Sequence, residues 1–163
     1  VEISGLAEEL DMIIQGMASG KLDSAISSDK LIEWSPSISV GINTIDDQHK
    51  VLIDLINELH AAMRQRKSDS VMLDVVSRLK DYTVKHFGFE EELFAKHRYP
   101  ETEGHMDLHR KFVQKIADFE AGIKSGTATV GMEVMRFLKD WLIKHIQGTD
   151  TRYAPFMIER GVK

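Results

Sequence analysis

Apolar residues return every three or four positions through four segments of the chain, the 3.6-residue period of a helix with one buried face. Over about 46–66 the face runs His49, Leu52, Ile56, Leu59 and Met63, with Asp46 as the expected N-cap. Over about 70–97 it runs Met72, Val76, Leu79, Thr83, His86, Glu90 and Leu93. The third stripe, over about 102–124, is His105, Leu108, His109, Phe112, Ile116, Phe119 and Ile123, with Thr102 as N-cap. The fourth, over about 129–146, is Val134, Phe137, Leu138, Trp141, Leu142 and His145, and Gly148 lies just past its end. No segment reads as a strand. The three prolines, Pro36, Pro100 and Pro155, fall between or after these segments. The connections Lys67-Ser68-Asp69, Tyr99-Pro100-Glu101 and Lys124 to Thr127 are short, which favours antiparallel neighbours. The pattern predicts an all-α fold, an up-down-up-down antiparallel four-helix bundle.

Ahead of the bundle, Ile3, Leu6, Leu10, Ile13 and Met17 recur in steps of three and four, so a helical extension is expected over 1–28. Gly20 and the stretch Ser24 to Ser28 read as a hinge, and Glu33-Trp34-Ser35-Pro36 as an extended entry to a domain spanning 29–163. The first residue is Val1 and no basic leader precedes an apolar run, so the chain is expected to be part of a longer one. No apolar run reaches the roughly 20 residues that span a bilayer, so no membrane contact is expected. A net charge of -5 without a basic run argues against a nucleic-acid partner. The absence of cysteine excludes disulfides, iron–sulfur clusters and thiolate zinc sites, and suits a cytoplasmic location.

What changes the picture is where the histidines fall. His49, His86, Glu90, His105, His109 and His145 lie on the apolar stripes, and Asp150 follows five residues after His145. A buried polar group without a partner costs a few kcal/mol and an ionised one more, so seven together require a common partner that takes up their lone pairs, which a metal centre supplies. Residues four apart on a helix share a face about 6 Å apart, so His86 with Glu90, and His105 with His109, can each converge. Alternating helix directions bring all of these positions to one end of the bundle. Imidazole and carboxylate suit iron, manganese, zinc or copper, and five nitrogens with two carboxylates exceed what one tetrahedral zinc uses. Two metals are expected, bridged by the two carboxylates. Division of five imidazoles into three and two leaves an open position for a small exogenous ligand.

Trp34, Gly41, Ile45-Asp46, Gln48-His49, His86-Phe87, Glu90-Glu91, Tyr99-Pro100, His105, His109, Trp141-Leu142, His145-Ile146, Asp150 and Tyr153 together resemble the bacteriohemerythrin family over about 33–157. The resemblance implies a non-haem centre of two iron ions with an oxo or hydroxo bridge that binds O2, or another small diatomic, reversibly. It implies that His105, His109 and His145 hold one iron, His49 and His86 the other, and that Glu90 and Asp150 bridge. It places Leu52, Phe87, Trp141, Leu142 and Ile146 around the O2 pocket. Tyr153 is expected either to line the site or to anchor the tail. The lead Ile3-Ser4-Gly5-Leu6-Ala7-Glu8-Glu9-Leu10 resembles the end of the signalling domain of methyl-accepting chemotaxis proteins, which implies an oxygen- or redox-sensing domain joined to a signalling protein through this helix.

His60 and His97 lie eleven residues beyond His49 and His86, about 16 Å along their helices, and are expected to be structural or rim residues. Glu91 and Glu92 are rotated off the His86 stripe and are expected on a solvated acidic face. Three functions fit the residues: O2 sensing, O2 storage or transport without output, and a di-iron oxidase, peroxidase or NO-handling protein. Ferritin-like di-iron enzymes carry paired Glu-x-x-His motifs, and this chain has none, so binding without turnover is the expectation.

Overall fold

The periodic segments fold as four long helices, α1 (Asn43–Arg64), α2 (Asp69–His97), α3 (Thr102–Ser125) and α4 (Met132–Lys144). A π-helical turn, His145–Asp150, and a short helix α5 (Thr151–Glu159) follow. The computed structural model describes residues 30–163, and there is no strand among them. The helical extension expected over 1–28 lies outside the described residues. Helix α1 packs on α2 and on α4, and α2 packs on α3, which is the neighbour pattern of the expected bundle.

The helix ends show which local signals act as expected. Ser68 caps α2, its hydroxyl accepting the Val71 N–H at 3.3 Å. Gly126 ends α3 at φ 79, the left-handed conformation that glycine adopts without a Cβ clash. Asp46 and Thr102 are not caps. α1 starts at Asn43, so Asp46 sits inside its first turn, where Oδ1 accepts the buried Val40 N–H at 2.9 Å and Oδ2 accepts the Ser39 hydroxyl at 2.5 Å. Its carboxylate thus fastens the incoming chain instead of the helix end. Thr102 turns its hydroxyl back to the Tyr99 carbonyl at 2.5 Å.

The entry segment runs along α1 in the opposite direction. Ile32 exchanges two hydrogen bonds with the Asn57 amide, at 2.9 and 2.8 Å, and Lys50 lies 4.3 Å from the centre of the Trp34 ring. Ile32, Ile38, Val40 and Ile42 are buried with the helix faces. The core proper is Ile45, Leu52, Ile56 and Leu59 of α1, Met72, Val76 and Leu79 of α2, Phe112, Ile116 and Ile123 of α3, and Met135, Leu138 and Leu142 of α4. Burying side chains of this size is worth about 1.5–3 kcal/mol each, which holds the bundle closed.

Three stripes sit differently from expectation. On α4 the buried line is Met135, Leu138, Leu142 and His145, in steps of three and four, whereas Phe137 lies at the surface and Val134 and Trp141 are half-buried. The expected stripe was wider than one helix face can bury, and Phe137 instead lines an open cleft with Lys115, Ile116 and Phe119 of α3. On α3, Leu108 is 37% exposed. On α2, Phe94 rather than Leu93 continues the His86–Glu90 line inward, being one turn beyond Glu90. Pro155 lies inside α5, as its fifth residue.

Asp46→Ala removes the acceptor of a buried backbone N–H. It is expected to destabilise the fold by about 1–3 kcal/mol, read as a lower midpoint in urea with unchanged slope; an unchanged midpoint would show that the entry segment is held by its apolar side chains alone.

Candidate metal centre

The seven polar residues singled out from the stripes come together at one end of the bundle, one from α1, two from α2, two from α3 and two from the α4 end. None is more than 4% exposed, and Glu90 and Asp150 are 0% exposed. The π-turn is what brings Asp150 in. In an α-helix a residue five positions on points about 140° away from the first. The i→i+5 turn takes one more residue per turn, so Asp150 comes round beneath His145 and both face inward.

Each carboxylate divides its two oxygens between two groups of imidazoles. Asp150 Oδ1 lies 3.0 Å from His105 Nε2 and 3.1 Å from His145 Nε2, while its Oδ2 lies 3.1 Å from His49 Nε2. Glu90 Oε1 lies 3.2 Å from His109 Nε2, and its Oε2 lies 3.5 Å from His86 Nε2. The donors therefore form two sets that share both carboxylates. One is Glu90, His105, His109, His145 and Asp150, and the other is His49, His86, Glu90 and Asp150, with ligand atoms within 4.8 Å of one another in each.

Short as these separations are, the atoms are not aligned as hydrogen bonds. Nε2 of His49, His105, His109 and His145, Oε1 of Glu90 and both oxygens of Asp150 are buried with no hydrogen-bond partner. Each such group left bare costs about 1–3 kcal/mol. Lone pairs aimed at shared points fit cations, and two sets sharing two carboxylates fit two of them.

The protonation tendencies agree. Burial pushes His86 down to about 4 and His109 down to about 3, so both are neutral with a free lone pair near neutral pH. Burial also opposes charge on His49, but the adjacent Asp150 carboxylate outweighs it and raises that imidazole. Burial works against ionising Asp150, yet His145, His105 and His49 hold it well below the usual carboxylate range. Asp150 is thus held as an anion among the imidazoles.

A further shell orients the donors. His86 Nδ1 meets Gln48 Oε1 at 2.6 Å, and His109 Nδ1 meets Glu91 Oε2 at 2.9 Å. Tyr153 donates its hydroxyl to Glu90 Oε2 at 2.5 Å, and burial beside Glu90 raises this phenol far above its ordinary value, so it stays a donor. The Phe87 ring stacks on His109 at 3.7 Å and 3°, and Trp141 stacks on His145 at 4.4 Å and 12°. Leu52, Leu142 and Ile146 are buried one turn from, or next to, His49 and His145. Glu91 corrects the expected solvated acidic face, since only Glu92 is exposed. His60 and His97 take no part in either donor set. Gln48 and Glu91 escaped notice as orienting groups because they sit on helix seams, where polar residues are ordinary.

Buried nitrogen and oxygen donors gathered at one end of a helical bundle are suited to holding cations. Residues 40–157 match the model of the Hemerythrin HHE cation binding domain, and the chain belongs to that family. It is 34% identical over 124 residues to a bacteriohemerythrin of Stenotrophomonas maltophilia, covering 76% of this chain and 80% of that one. It is 38% identical over 120 residues to a hemerythrin-like protein of Naegleria gruberi, covering 74% and 88%. A solved wild-type hemerythrin superposes with a TM-score of 0.73 at 32% identity, covering 77% of this chain and 96% of that one.

A cation that binds only the folded chain stabilises it by about 4 kcal/mol at a thousand times its dissociation constant. Stripping metal with a chelator is accordingly expected to lower the thermal midpoint by several degrees, and adding ferrous iron to restore it. A midpoint indifferent to both treatments would mean that the seven residues are satisfied without metal.

Proposed function

We propose that this chain binds O2 reversibly at a non-haem di-iron centre held by His49, His86, Glu90, His105, His109, His145 and Asp150. The observation that carries the reading is the division of each buried carboxylate between a three-imidazole and a two-imidazole set. When bound, iron would supply the electrons that O2 takes up. His105, His109 and His145 would hold one ion and His49 and His86 the other, with both carboxylates spanning the pair. The two-imidazole position has fewer protein donors, and its remaining room is where the diatomic would enter.

The surroundings favour binding over turnover. Every ligand is buried, so only a very small molecule can approach, and the Phe87 and Trp141 rings with Leu52, Leu142 and Ile146 form an apolar wall that would keep water from bound oxygen. Tyr153 holds one Glu90 oxygen in place and keeps its proton there. The site lacks the paired Glu-x-x-His of the oxidising di-iron bundles, which supports a role without catalysis. Among the described residues no helix is long and apolar enough to cross a membrane. The resemblance of the lead to a chemotaxis signalling domain supports the finer reading that this is the cytoplasmic oxygen- or redox-sensing end of such a receptor.

Metal analysis with the visible spectrum of anaerobically reduced protein tests the reading directly. Two irons per chain and a charge-transfer band that appears in air and vanishes on removing O2 are expected; a folded, spectrally silent chain without metal would overturn it. His86→Ala is expected to abolish that band while leaving the helix content largely intact. In a separate measurement, Leu142→Ala is expected to admit water and speed autoxidation severalfold, and an unaltered rate would make Leu142 plain core.

A further inference from the structure

We propose that Glu91 and Gln48 make the two metal positions electronically unequal, so that the three-imidazole position is the one that favours the more oxidised ion. The inference rests on the di-iron reading above and concerns residues outside the ligand set.

The two groups do the same geometric task with different charge. With Nε2 turned to the centre, Nδ1 carries the proton and donates outward. His109 donates to the Glu91 carboxylate at 2.9 Å, while His86 donates to the neutral amide oxygen of Gln48 at 2.6 Å. A carboxylate acceptor draws on the shared proton, shifts electron density into the ring and makes Nε2 the stronger donor, whereas an amide does this only weakly. The contrast is sharpened on the two-imidazole side, because His49 Nδ1 is buried with no hydrogen-bond partner at all.

The packing keeps the charged contact in line. Phe87 lies flat on the His109 ring, 3.7 Å away and 3° from parallel, which fixes the plane in which Nδ1 meets Glu91. Glu91 is 27% exposed at its side chain, and its Oε2 stays on the imidazole at 2.9 Å. Glu91 reaches across the α2–α3 seam and Gln48 across the α1–α2 seam, so each metal set has its own supporting helix pair. A positive increment of charge is then easier to hold at the set containing His109. The set containing His86 and His49 keeps the weaker donors and the open position.

The test uses the full chain loaded with two irons, followed by spectroelectrochemical titration and by Mössbauer spectroscopy of the half-oxidised protein enriched in iron-57. Glu91→Gln is expected to disfavour the first oxidation at least tenfold, about 59 mV for one electron, and to blur the assignment of ferric iron to one site. Gln48→Glu is expected to shift the same equilibrium the other way and to move ferric character toward the two-imidazole site. Glu91→Gln should also weaken iron binding about 10–100-fold, read by competition with a chelator. Glu92→Gln, an exposed neighbour, serves as the control for surface charge and should change neither reading. Potentials and Mössbauer parameters identical to the parent in both variants, with both irons bound, would overturn the inference. So would a shift equal to that of Glu92→Gln. If Glu91→Gln fails to hold iron, Gln48→Glu carries the test alone. Failure of the di-iron reading is distinguished beforehand, because the parent chain would then not hold two irons.

Discussion

Two carboxylates with no exposure to water, Glu90 and Asp150, lie between five imidazoles, and most of the structure can be understood as what it takes to hold them there. Buried charge of this kind costs several kcal/mol per ion unless opposite charge compensates it closely. The imidazoles give part of that compensation, and the unpartnered lone pairs mark what is left for cations. A site of this sort weakens the fold that carries it when bare and strengthens it when filled, which is how metal binding couples to folding.

The rest of the bundle keeps that arrangement from relaxing. Donors come from every long helix or its end, so no helix can slide or rotate without withdrawing one. The π-turn at His145–Asp150 sets the last carboxylate beneath His145. Helix α5 then returns Tyr153 to Glu90, which connects the last element of the chain to the second helix through one hydrogen bond. At the other side, Asp46 ties the entry segment to the first turn of α1, only one turn from His49. Stacked Phe87, Trp141 and Phe112 rings fill the space beside the imidazoles, where a looser side chain would let them swing.

The helices and the ligand candidates were legible in the sequence for one reason: polar residues at His49, His86, Glu90, His105, His109 and His145 break an otherwise apolar period, and such breaks need a cause. The same logic could not find Gln48 or Glu91, because at the edge of an amphipathic face a polar residue breaks nothing. It misplaced the α4 stripe because that segment carries more apolar residues than one face buries, and only packing decides that Met135 turns in and Phe137 out. It missed the π-turn because a six-residue turn has no period of its own. Asp46 was read as a cap from its residue type, whereas its real partner, the Val40 N–H, lies in the loop before the helix.

These two levels of legibility correspond to two kinds of control. The ligand candidates had to be visible because burial makes each of them costly. The groups behind them decide how the two positions differ, at small cost, because Glu91 keeps contact with solvent and Gln48 has no charge to desolvate. A single change of charge type at either seam residue can therefore alter the centre without disturbing the core. The bundle fixes the place of the site; on the proposal above, its electronic asymmetry is set from Gln48 and Glu91 at the helix seams.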